Sequence, residues 1–131
     1  MATIAKGTFT VQTRPVGDAG TEDGVSLGRM SLDKQFEGDL VATGKGEMLT
    51  ALTPVKGSAG YVAIERVTGT LQGRAGSLVF QHTGTMDNGS QQLSITVVPG
   101  SGTGELAGIT GTFTISIVDR VHHYSFEYSL P

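Results

Sequence analysis

Four polar side chains, Glu65, Arg66, Gln81 and His82, are the residues of this chain whose types could do chemistry together. A carboxylate and an imidazole within reach of each other can hold and move a proton. A guanidinium can take a ligand carboxylate through two hydrogen bonds. The four stand in two alternating segments, Tyr61 to Leu71 and Ser77 to Met86, which read as neighbouring strands of a hairpin. With 72–76 as the turn, Leu71 faces Ser77, which sets Glu65 opposite Thr83, Arg66 opposite His82 and Val67 opposite Gln81. Opposed residues share a face of the sheet. Arg66 and His82 then lie with Val62, Ile64, Leu78 and Phe80, while Glu65 and Gln81 lie with Ala63, Val67 and Val79. The first set is the more apolar and is expected to point inward, and a bulge at a glycine would invert the assignment.

Two readings of these residues stand side by side. In the functional one, Glu65 and His82 are the candidate catalytic residues, and Arg66, Gln81, Phe80 and Ile64 contact a ligand. Phe36 and Tyr124, each on the apolar side of its own segment, complete the candidate ligand-binding set. In the structural one, Arg66 and His82 form a polar patch at a barrel mouth or a subunit contact, or Arg66 pairs with Glu37 or Glu47. Other chemistries find less support. His122 and His123 are adjacent, so on a strand they point to opposite faces and do not chelate a metal together. The histidine spacings of known metal motifs are absent, and no metal or cofactor is expected. No serine sits on a nucleophile elbow. The Gly-Ser-Gly-Thr-Gly run at 100–104 has neither the lysine nor the helix of a phosphate loop. Asn88-Gly89-Ser90 is a glycosylation sequon only in a secreted protein.

The elements that must position these groups are all strands. Ile4 to Thr13, Ser26 to Leu40, Gly44 to Leu52, Tyr61 to Leu71, Ser77 to Met86, Gln92 to Val98, Thr112 to Val118 and His123 to Leu130 alternate apolar and polar residues, with no helical segment between them. Phe9 with Val11, Met30 with Leu32, Lys34 and Phe36, Leu93 with Ile95 and Val97, Phe113 with Ile115 and Ile117, and Tyr124 with Phe126 and Tyr128 each share one side. Residues 14–26 read as the one long loop, and Asn88-Gly89 is the clearest tight-turn signal. Eight consecutive antiparallel strands leave two exposed edges unless the sheet closes. The expected fold is therefore all-β, a single eight-stranded antiparallel up-and-down β-barrel over 1–131, with a two-sheet sandwich as the alternative. A barrel of that size is filled by side chains or holds one small ligand.

Composition sets the outer bounds. The 131 residues suffice for one core without staples. There is no cysteine, hence no disulfide, thiolate or cysteine-ligated zinc, which fits a cytoplasmic protein. The first residues lack the apolar stretch of a signal peptide, and no apolar run approaches the roughly 20 residues of a membrane helix. A net charge of −3, no tryptophan and few aromatics argue against nucleic acid or an anionic membrane as partner. The 20 glycines, about twice the usual ~7% share, punctuate short β-prone runs as in a meander.

Two glycine-rich stretches echo each other, 68–78 and 103–113, and read as two similar corners of a β protein. The stretch 99–111, Pro-Gly-Ser-Gly-Thr-Gly-Glu-Leu-Ala-Gly-Ile-Thr-Gly, resembles the glycine corner of the allene oxide cyclase and dirigent barrels. The whole chain resembles an uncharacterised bacterial family of unknown function assigned to that barrel superfamily. The likeness runs through Lys34-Gln35-Phe36-Glu37-Gly38-Asp39-Leu40, Glu65-Arg66-Val67-Thr68-Gly69 and Gly76-Ser77-Leu78-Val79-Phe80-Gln81-His82. The resemblance implies an eight-stranded barrel, often oligomeric. Allene oxide cyclases close an unsaturated fatty-acid epoxide in an apolar cavity and dirigent proteins orient phenolic radicals. Beyond the glycine corner none of their working residues maps here, and fold alone assigns no activity. Three functions follow as expectations: a barrel binding a small apolar or amphipathic molecule, a cyclase or isomerase using the same cavity, and a homo-oligomeric interaction module.

Overall fold

The computed structural model describes residues 2–131, apart from the side chains of residues 18 and 19. Eight antiparallel strands follow in chain order: β1 (Thr3–Glu22), β2 (Val25–Gly38), β3 (Leu40–Leu52), β4 (Ala59–Leu71), β5 (Arg74–Asp87), β6 (Ser90–Val97), β7 (Thr110–Val118) and β8 (Val121–Ser129). Each pairs with the next and β8 pairs with β1, closing a barrel. Closure satisfies both edges that eight open strands would expose.

Four of the connections are two-residue turns with both residues at positive φ: Asp23-Gly24, Gln72-Gly73, Asn88-Gly89 and Asp119-Arg120. Such turns carry the twist that matches right-handed strands, so they hold the hairpins in tight register. Two expectations are corrected here. Residues 14–22 are not loop but the far half of β1, bent by irregularities between Pro15 and Gly17 and between Asp18 and Gly20. The turn between β4 and β5 is Gln72-Gly73 rather than 72–76, so Leu71 faces Arg74.

The two ends of the barrel differ. One end is packed with rings and aliphatic side chains: Phe36, Phe80, Phe113, Tyr124, Phe126 and Tyr128 are all buried. Phe113 stacks on Tyr124 at 5.2 Å between centroids and Phe80 meets Phe126 edge-on at 5.2 Å. Residues 98–109 close this end. Val98 and Thr103 donate backbone bonds to Val79 and Ser77 of β5, and the short 3₁₀ turn Gly104–Leu106 drops Leu106 and Ile109 into the interior. The two glycine-rich stretches are therefore not equivalent, since one flanks the β4–β5 hairpin and the other is this plug. At the opposite end no segment crosses the barrel, and the interior side chains of β3 to β6 line an open cup.

Candidate functional site

The β4–β5 register decides what the interior holds. Val67 pairs with Leu78, Glu65 with Phe80 and Ala63 with His82. Relative to the expected pairing this is a shift of three residues, an odd number, and an odd shift moves one strand's side chains to the other face. Glu65 and His82 thus share the interior, with exposures of 0% and 3%, whereas Arg66, Ile64 and Gln81 face outward. Arg66 and His82 do not meet, and the expected inward positions of Arg66 and Ile64 are corrected. Glu47 pairs on the outer face with Arg29 rather than with Arg66. Phe36, Phe80 and Tyr124 are interior as expected, but in the packed end. There the Tyr124 hydroxyl donates to the Glu37 carbonyl at 2.8 Å and accepts from the Leu40 amide at 2.9 Å, which ties down the β2–β3 hairpin. His122 faces inward against Phe9, with centroids 5.0 Å apart, and His123 pairs outward with Thr8, so the two histidines diverge as expected.

Between the packed end and the cup lies a buried polar cluster. Glu65 Oε1 accepts from Lys34 Nζ at 3.2 Å and from His82 Nε2 at 3.0 Å. Lys34 is 6% exposed, and its ammonium lies 5.0 Å from the Phe9 ring centroid and 5.9 Å from that of Phe36. Burial alone pushes the Glu65 carboxyl up, but the His82 hydrogen bond and the Lys34 and His82 charges together hold it below its ordinary value. Glu65 is thus an anion in the fold. A carboxylate only accepts, so Nε2 of His82 must carry a proton. A buried charge is costly unless paired and hydrogen-bonded. Glu65 meets that condition through one oxygen, while Oε2 is buried without a partner among the described residues. Oε2 occupies the space left by Gly44, where a Cβ would come within 2.6 Å of it.

A second strand glycine serves the neighbouring residue. Tyr61 faces inward one step closer to the cup, and its ring crosses Gly84 of β5, where a Cβ would stand 2.3 Å from Cε1. The Tyr61 and His82 ring centroids are 6.5 Å apart. Burial, then the Glu65 charge, raise the Tyr61 phenol above its ordinary value, keeping it neutral and able to donate.

Above Tyr61 opens the cup, about 360 Å³, lined chiefly by Met48, Leu52, Tyr61, Met86 and Leu93 with Thr50 and Gln91. Chain contacts thus run from the Phe9 and Phe36 rings through Lys34, Glu65, His82 and Tyr61 to the cup.

Sequence reasoning placed Glu65 and His82 among the candidates but missed Lys34, Tyr61 and the methionines. The signal for Lys34 was present: it interrupts the apolar face Met30, Leu32, Phe36. A lysine on such a face is buried and must find a carboxylate. Strand glycines at 44 and 84, where nothing bends, were the corresponding signal for large neighbours needing room.

Comparisons agree with this architecture and add no activity. No curated protein matches the chain. The crystal structure of a protein with unknown function from the DUF3224 family, from Shewanella oneidensis MR-1, is similar over 100% of this chain and 99% of that one, at 50% identity and a TM-score of 0.96. Residues 5–128 match the model of the family described as protein of unknown function, DUF3224. The chain belongs to the DUF3224 family.

Proposed function

We propose that the open end of the barrel binds a small apolar or amphipathic molecule, seated in the cup over the Lys34–Glu65–His82 cluster. The observation that carries this reading is the unfilled apolar cup of about 360 Å³ directly above an otherwise tightly packed interior. Its volume is within the range of ~300–1,000 Å³ usual for ligand sites, and it combines apolar walls with a few polar groups. Met48 and Met86 give those walls flexible, polarisable side chains that adapt to ring-shaped or branched ligands. The test is a titration with the neutral fluorophore N-phenyl-1-naphthylamine, whose emission rises in apolar surroundings. Saturable one-site binding that disappears in Leu93→Trp, which fills the cup from its rim, is expected. Binding unchanged by that substitution would place the probe elsewhere and contradict the proposal.

Two specific observations favour further readings. The 3.0 Å hydrogen bond from His82 to Glu65 fixes the imidazole in one orientation, the arrangement of a proton-transferring histidine, and supports a cyclase or isomerase acting in the same cup. Outside, Leu49, Val62 and Ile64 are half or more exposed and adjoin one another across β3 and β4. This apolar face supports self-association of the barrel. Sedimentation at micromolar concentration is expected to give a species larger than 13.6 kDa that dissociates in Val62→Lys, and a monomeric wild type contradicts it.

A further inference from the structure

Resting on the reading of the cup as a ligand site, we infer that its occupant is an uncharged molecule with a compact apolar body and one hydroxyl, and that the site discriminates against the corresponding acid. The inference comes from the polarity of the cluster beneath the cup. Lys34 is the one cation of the cluster, and it lies on the far side, against Phe9 and Phe36, with its ammonium on Glu65. An incoming carboxylate would approach through Tyr61 and His82 and meet Glu65 before it met Lys34. It would have to shed its water and bring a second negative charge towards a buried anion, and both effects oppose binding.

A hydroxyl meets the opposite conditions. The Nε2 proton of His82 is committed to Glu65, so in the neutral ring Nδ1 is an acceptor, and it has no partner among the described residues. A ligand hydroxyl can donate to that nitrogen and accept from the neutral Tyr61 phenol, whose ring lies beside it. One hydroxyl thereby satisfies both exposed polar groups without adding charge to the cluster, and the Met48, Met86, Leu52 and Leu93 walls receive the rest. A hydrocarbon of the same shape leaves both groups dry and unpaired.

The test uses three ligands of one skeleton, 1-naphthalenemethanol, 1-methylnaphthalene and 1-naphthoate, each displacing N-phenyl-1-naphthylamine at pH 7.5. The alcohol is expected to bind at least about tenfold more tightly than the carboxylate, and several-fold more tightly than the hydrocarbon. In His82→Phe, checked for its fold by circular dichroism, the alcohol falls to the affinity of the hydrocarbon. If that variant does not fold, the wild-type order decides alone. Naphthoate binding as tightly as the alcohol overturns the discrimination against acids, and equal affinity of alcohol and hydrocarbon overturns the hydroxyl contact. In either case the cup remains a ligand site. Failure of all three ligands to displace a bound fluorophore would bring down the cup reading itself.

Discussion

At the scale of single residues, the account turns on Glu65. It is the one anion of a buried cluster, and both Lys34 and His82 depend on the same oxygen. Removing it leaves a buried ammonium without a counter-charge, which costs about 3–5 kcal/mol. Glu65→Leu is therefore expected to lower the urea-unfolding free energy by that order. The triple variant Lys34→Met, Glu65→Leu, His82→Phe, which removes every partner together, should recover most of the loss, because apolar groups of similar volume replace buried ion pairs at little cost. A triple variant as unstable as the single one would mean that the cluster is there for stability rather than for a ligand. The same carboxylate has a pH signature. Its folded-state value lies below the unfolded one, so its contribution is complete above about pH 4.5 and is lost as pH falls through the lower folded value. The gap in unfolding free energy between wild type and Glu65→Gln should accordingly narrow only below that pH. A gap constant from pH 7 to pH 3 would contradict the pairing.

At the scale of elements, the tight hairpins carry the register, and the register carries the site. Three of the four two-residue turns end in glycine, but the β7–β8 turn places Arg120 at φ 67°. A side chain in that region costs about 1 kcal/mol, which glycine avoids. Arg120→Gly should raise the urea midpoint by an amount equivalent to ~1 kcal/mol, and an unchanged or lower midpoint would contradict it. The strands themselves were legible from alternation alone, down to which residues of β2, β6, β7 and β8 share a face. The hairpin between β4 and β5 was not. Its glycines at 73 and 76 allow turns of two lengths, and periodicity within each strand does not say which residues oppose each other. The turn at Gln72-Gly73 is settled by long-range packing, where the loop 98–109 lies along β5 and leaves no room at Gly76: a Cβ there would be 2.1 Å from the Thr103 carbonyl. That single ambiguity exchanged Glu65 for Arg66 as the interior partner of His82. The glycine-rich bend of β1 misled in the other direction, because bulges let a strand continue through residues that usually end one.

At the scale of the whole molecule, the barrel is asymmetric along its axis: rings and the 98–109 plug fill one end, and a methionine-lined cup opens at the other. The seam between β6 and β7 is its weakest strand pairing, with Thr96 and Thr112 the single register pair, because the chain leaves β6 to form the plug. The central claim is that the cup, and not the apolar outer face, takes the ligand. Methionine placement offers a direct reading of it. Of the four methionines, Met30, Met48 and Met86 point into the open half of the barrel, and none lies on the outer face with Leu49, Val62 and Ile64. The decisive measurement is a methyl NMR titration of protein labelled with ¹³C-methyl methionine, using 1-naphthalenemethanol. The account predicts saturable shifts at Met48 and Met86, which line the cup, with the Met1 signal unmoved. Saturable binding that leaves the Met48 and Met86 signals unmoved would contradict it.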